Sequence, residues 1–159
     1  MASGDERASA PDLDGSGLRI AIIASRWNAA IVDRLVDGAV RGLESFGVSH
    51  IEQVSVPGAF ELPMAARLIA GSDRIDGIVV VGAVIRGETT HYELVANECG
   101  RGIQDVQLET GVPVGFGVLT VENVGQAEAR SEGPGGHNVG EEAAVVAVEL
   151  ASLAADWAN

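Results

Sequence analysis

His91 opens a helical stretch directly after the turn Arg86-Gly87-Glu88-Thr89-Thr90, and that turn follows an unbroken apolar run, residues 77–85. An imidazole there can give and take a proton near neutral pH. The two threonine hydroxyls and the backbone N–H groups of a helix start suit an anion. The chemistry that fits is proton transfer beside a bound phosphate or carboxylate. A helix cap or a plain surface residue is the simpler role for the same histidine. Trp27 directly follows another apolar run, 18–25. It either plugs the end of a sheet or offers a flat face to a planar ring. Phe60 and Glu61 follow a third run. Glu61 suits two roles, favouring a helix N-terminus by its charge or accepting hydrogen bonds from ligand hydroxyls. Arg130 precedes the Gly/Pro-rich segment 131–137 and is either a surface ion-pair partner or a phosphate clamp.

Composition removes other chemistries. All ten basic residues are arginine. A chain without lysine has no Walker lysine and forms no protein imine, so any imine must join two substrates. Cys99 is the only cysteine, which excludes an internal disulfide and reads as a small buried helix residue. His50 and His137 lack metal-ligand spacing with His91, so no metal is expected. The net charge of −13 argues against nucleic acid and against an anionic membrane surface. No apolar run reaches membrane-spanning length and no basic-then-apolar signal is seen, so a cytoplasmic protein is expected. No Gly-rich nucleotide fingerprint follows a strand.

The elements that must position these groups alternate regularly. Strands are predicted over 18–25, 51–56, 77–85 and 112–121. Helices are predicted from 30 to a stop at Gly47, over 62–70, over about 90–108, over 124–130 and over 139–156. In the first helix Ile31, Leu35, Ala39 and Leu43 recur at helical spacing. In the third, Leu94, Val95, Ile103 and Val106 are the expected core contacts, and His50 falls in a connecting loop. Alternating strands and helices imply a parallel sheet with right-handed crossovers. The expected fold is α/β, a flavodoxin-like three-layer α/β/α sandwich with a four-stranded parallel sheet in the order 2-1-3-4. The segments after the strands then share one edge: Trp27 with Asn28, 57–61, 86–91 and the neighbourhood of Phe116. Residues 1–17 read as a flexible arm whose end is free to pair with a sheet edge, in its own subunit or a neighbour, and 18–159 as one domain.

The motifs, taken together, resemble the lumazine synthase family. They are ASRWN at 24–28, VPGAFELP at 56–63, GAVIRGETTHYE at 82–93, FGVLTVEN at 116–123, QAEAR at 126–130 and NVGEEAA at 138–144. The resemblance implies condensation of 5-amino-6-(D-ribitylamino)uracil with 3,4-dihydroxy-2-butanone 4-phosphate, with no organic cofactor required. It implies that Trp27 stacks on the pyrimidine and that Ala59, Phe60 and Glu61 hold that substrate, Glu61 on ribityl hydroxyls. Backbone at Ala83, Val84 and Ile85 contacts the same substrate. Glu88 and Thr89 belong to the phosphate turn, Arg130 faces the phosphate, His91 transfers the proton, and Phe116 reaches in from an adjacent subunit. Small-molecule substrates and a homo-oligomer, a pentamer or a multiple of pentamers up to an icosahedral shell, are implied as partners. One position departs from the family, which usually carries lysine where this chain has Val139. That departure motivates the alternative expectation, a catalytically weakened flavin- or lumazine-binding or shell-forming homologue. An FMN electron carrier is a weaker alternative, because residues 25–29 lack a hydroxyl-rich phosphate loop.

Overall fold

A computed structural model describes residues 8–158. Four parallel strands form one sheet: β1 (Arg19–Ser25), β2 (His50–Val56), β3 (Gly77–Ile85) and β4 (Val114–Val121), in the order β2-β1-β3-β4. The expected sheet order is therefore the observed one. The helices are α1 (Ala29–Ser45), α2 (Leu62–Ala70), α3 (His91–Thr110), α4 (Val124–Glu128) and α5 (Val139–Asp156). One 3₁₀ turn, Ala59–Glu61, precedes α2.

β3 is the middle of the molecule. Its first seven residues are all buried, because helices cover both faces of the sheet. The core divides accordingly. Ile20, Ile22, Val79, Val81, Leu119 and Val121 meet α1 and α5 on one face. Ala21, Ile23, Ile78, Val80, Val114 and Val118 meet α2 and α3 on the other. Each buried Ile, Leu or Val side chain stabilises by roughly 1.5–3 kcal/mol, against roughly 0–1 for an exposed ion pair. The sheet core therefore outweighs the charged surface in holding the fold.

α1 and α5 cross unusually closely, and small residues make that possible. A Cβ at Gly140 would stand 2.1 Å from Leu35 O, and one at Gly42 would stand 2.9 Å from Ala144 Cβ. β4 contributes to the same closeness: a Cβ at Gly115 would stand 2.0 Å from Ala143 O.

The starts of β1 and β3 are tied at the sheet end opposite the strand carboxyl termini. Arg19 Nη2 donates to Asp76 Oδ1 (2.9 Å), and its backbone N–H and Nε donate to Oδ2 (2.8 and 3.1 Å). The hydrogen bonds from the Arg19 guanidinium are the main reason the Asp76 carboxyl is held below its ordinary value. A depressed carboxyl contributes stability that is complete above the unfolded value, near pH 4, and lost as pH falls through the folded one. Urea unfolding of the parent chain and of Asp76→Asn should thus differ at about pH 7 and converge by about pH 2. Curves that stay separated in acid would show that the carboxylate charge is not what matters.

Several expected boundaries move. His50 is not in a loop but is the first residue of β2, paired with Arg19. Edge strand β2 is largely exposed and polar, so its start carries no apolar signal. β4 begins at Val114, α3 runs on to Thr110, where Gly111 closes it at φ 72°, and α4 stops at Glu128. Leu94 is 56% exposed and is no core contact; Cys99, Ile103 and Val106 fill that role in α3. Of the expected arm, residues 1–7 lie outside the described residues. Leu13 packs on the core and Gly15 N–H donates to Phe46 O at 2.7 Å, so this end meets the turn after α1 rather than a strand edge. Among the described residues, no helix is long and apolar enough to cross a membrane.

Candidate active site

Sheet order β2-β1-β3-β4 reverses direction between β1 and β3, and the crevice at the carboxyl ends of those strands is where such sheets bind ligands. Three chain segments close over it. β1 ends at Ser25, and Arg26, Trp27 and Asn28 turn into α1, with Asn28 in the left-handed region (φ 59°, ψ 50°). β2 ends at Val56, and an extended Gly58 leads into the 3₁₀ turn. β3 ends at Ile85, and α3 starts at His91.

The result is a cavity of two adjoining lobes of about 280 and 270 Å³. Trp27, Ala59, His91 and Val95 line both lobes. Gly58, Phe60, Glu61 and Leu94 complete one; Asn28, Ala83, Val84 and Ile85 complete the other. Gly58 matters for closeness, since a Cβ there would stand 3.1 Å from both Trp27 Cδ1 and Glu61 Oε2. Indole and carboxylate thus share one corner of the cavity. Trp27 is 73% exposed, so it does not plug the sheet. Glu61 stands at the first position before α2, yet its side chain makes no capping bond and is left to the cavity. Another hollow, about 410 Å³ and larger than either lobe alone, lies at the far end of the molecule between Gln107, Pro113, Leu150 and Trp157. Its lining has no titratable side chain, which leaves the two-lobed cavity as the candidate site.

The cavity lining holds one carboxylate, one imidazole and no guanidinium. Arg86, the nearest arginine in sequence to His91, is committed elsewhere. Its Nε donates to Glu122 Oε2 (2.7 Å), its Nη1 to Glu93 Oε1, and its guanidinium carbon sits 4.3 Å from the centre of the Tyr92 ring. The Glu93 and Glu122 carboxylates raise the Arg86 value, and Arg86 in turn lowers that of Glu93. This clamp fixes both ends of the turn that carries Gly87, Glu88, Thr89 and Thr90. Glu88 and Thr89 lie exposed in that turn, beside the cavity rather than in its lining, and Thr89 Oγ1 accepts from His91 N–H at 3.3 Å.

Two expected site residues are not at this cavity. Phe116 was placed at the edge that follows the strands. It is instead the third residue of β4, in register with Val80, and 40% exposed. Strand alternation puts it on the side of Val114 and Val118, where no helix covers it. Arg130 follows α4 and its Nη1 donates to Gln126 O at 3.0 Å. Both lie on the β4 side of the chain. Val139 begins α5, packs against the core, and gives its N–H to Arg130 O at 3.0 Å. Its neighbour His137 has Nε2 3.2 Å from Glu142 Oε1. Burial pushes the Cys99 thiol up to about 12, which removes it as a nucleophile. Helical spacing assigns Leu94 and Val95 to the core, yet both line the cavity; their position at the start of α3, close to His91, is the available signal.

Fold and site together define a doubly wound α/β protein with a preformed crevice lined by an indole and an imidazole. The family model for 6,7-dimethyl-8-ribityllumazine synthase matches residues 17–155. The chain is 46% identical over 153 residues to the 6,7-dimethyl-8-ribityllumazine synthase of Leptothrix cholodnii, covering 95% of this chain and 96% of that one. It is 51% identical over 144 residues to the protein of the same name from Xanthomonas euvesicatoria pv. vesicatoria, covering 89% and 93%. The chain belongs to the 6,7-dimethyl-8-ribityllumazine synthase family.

Proposed function

We propose that the protein is a transferase of riboflavin biosynthesis. It condenses 5-amino-6-(D-ribitylamino)uracil with 3,4-dihydroxy-2-butanone 4-phosphate to 6,7-dimethyl-8-ribityllumazine. The observation that carries this reading is the meeting of Trp27, Glu61 and His91 at one cavity, supported by family membership. The ring amine of the first substrate attacks the ketone of the second, and loss of water leaves an imine between the two. Phosphate is then eliminated, and closure of the second ring releases another water. No protein amine is needed, in keeping with a chain that has no lysine. Holding two reactants in contact supplies a large share of such an acceleration.

In this reading Trp27 stacks on the pyrimidine, and Ala59, Phe60 and Glu61 hold the ribityl-bearing substrate with backbone from Ala83, Val84 and Ile85. Glu88 and Thr89 bring the turn's N–H groups to the phosphate, and His91 moves protons. The phosphate charge needs a cation that the cavity lining lacks. Arg130 supplies it from another copy of the chain, which also brings Phe116 to the mouth of the cavity. The placement of Phe116 and Arg130 on the β4 side of their own chain supports a site shared between copies. A homo-oligomer follows from that sharing, the resemblance to the family supports pentamers as its building block, and the single domain of residues 18–159 is its repeating unit.

Mixing the purified protein with both substrates should release inorganic phosphate and produce the lumazine absorbance in equal amounts. Mass measured in solution should be a multiple of five chains. Substrates left unreacted by correctly assembled protein would overturn the enzymatic reading; a monomer with full activity would overturn the shared site.

A further inference from the structure

We propose that Asn28 is a positioning residue that locks the β1–α1 turn onto the carboxyl end of β3 and thereby fixes the Trp27 indole over the cavity. The inference rests on the reading of the cavity as the ring-binding site.

The starting point is a gap in the sheet. The β1–β3 ladder ends at Ala24–Val81, although β1 stays paired with β2 one step further, where Arg26 N–H donates to Val56 O at 3.0 Å. β3 continues to Ile85 against β4 alone. The N–H groups of Ile78 and Arg86 donate to Pro113 O and Val121 O, so even-numbered residues of β3 face β4. Ala83, an odd-numbered residue only 3% exposed, therefore points its carbonyl into the lane that β1 has left. A buried carbonyl without a partner costs about 1–3 kcal/mol. Asn28 Nδ2 donates to Ala83 O at 2.9 Å and fills the place of the missing strand N–H.

Asn28 is also chosen by its backbone. Among the described residues, only Asn28 and Asp73 are non-glycine residues with positive φ. Asn tolerates that region better than most side chains do. Its carbonyl accepts from the N–H groups of Ile31 and Val32 at 3.0 and 3.1 Å, starting α1. An asparagine before a helix ordinarily caps that helix with its side chain. Here the side chain makes no capping bond and turns to the sheet instead. The turn is thus held by its backbone to α1 and by its amide to the floor of the cavity, with Trp27 between Arg26 and Asn28.

The test uses a Trp157→Phe background, so that Trp27 is the only indole. Asn28→Gly keeps the left-handed backbone and removes the amide. Asn28→Asp keeps the backbone and the size of the side chain, but a carboxylate cannot donate to a carbonyl. Both variants should show faster anisotropy decay of Trp27 fluorescence. Both should raise KM for the ribitylaminouracil by about tenfold and leave KM for the butanone phosphate within about twofold, as loss of one buried hydrogen bond at one subsite predicts. Unchanged Trp27 anisotropy in either folded variant, or equal changes in both KM values, would overturn the proposal. Should the glycine variant fail to fold, the aspartate variant carries the same comparison. Faster indole motion in the two variants than in a parent protein that itself turns nothing over would uphold the latch and refute the enzymatic reading instead.

Discussion

Replacing His91 with alanine should slow the single-turnover reaction by about 10²–10⁴-fold, the usual contribution of a positioned acid–base group. Unfolding should be little affected, because exposed substitutions away from caps and cores ordinarily stay within about 0.5 kcal/mol. The physical grounds for both halves are local. His91 is the first residue of α3, exposed, and its side chain bonds to no described residue. It lines both lobes of the cavity with Trp27. Its removal therefore subtracts an imidazole from the cavity without breaking a side-chain hydrogen bond or ion pair among the described residues. Rapid-quench measurements across about pH 5–8, the interval in which an imidazole serves as both acid and base, are the discriminating ones. A parent-like rate throughout that interval would mean that protons move by another route and that His91 is a bystander.

The second large effect lies in the core. Gly140→Ala should destabilise the fold by about 3 kcal/mol, the upper end of what overpacking usually costs. The added methyl would stand 2.1 Å from Leu35 O and 2.8 Å from Leu35 C. Both are main-chain atoms of α1, so no side chain can swing aside. Relief requires α5 to move away from α1, and that would open the contacts of Ala144, Ala147 and Val148 with the sheet core. For a chain of this length about 3 kcal/mol corresponds to a fall of about 6–12 °C in Tm. Calorimetry of the two proteins would measure it, and equal midpoints would show that the helix crossing is looser than its geometry implies. Because the pyrimidine end of the cavity is built from the ends of β1 and β3, the 3₁₀ turn and the start of α3, surviving Gly140→Ala protein should keep the parent KM for the ribitylaminouracil.

The division between what the residues disclose and what they conceal follows from how far each interaction reaches. β1 and β3 are legible because strands buried on both sides must be apolar throughout. The sheet order follows from strand and helix alternation, and with it the gathering of Trp27, Glu61 and His91, each of which follows a strand. His50 is misread because an edge strand need not be apolar. Leu94 is misread because helical spacing does not distinguish a side chain facing the core from one facing an empty crevice. Phe116 is misread because a strand's apolar extent does not say where along it a side chain stands. The Asn28 amide meets a carbonyl 55 residues away, a pairing that leaves no periodic trace. Arg130 is the limiting case: in the proposed shared site its distance from His91 is set by how two copies pack, and such packing leaves no pattern within one chain.

The placement of α5 has a consequence for synthesis on the ribosome. α5 supplies Ala143, Ala144, Ala147 and Val148 to the face formed by Val79, Val81, Leu119 and Val121. Those strand residues are translated first, and nothing else in the described chain occupies the α5 position. Nascent chains ending before residue 139 therefore present a β-branched sheet face to their surroundings, a condition that favours aggregation and chaperone capture. Stalled polypeptides should resist proteases only once residues through 156 have cleared the exit tunnel, however early the strands emerge.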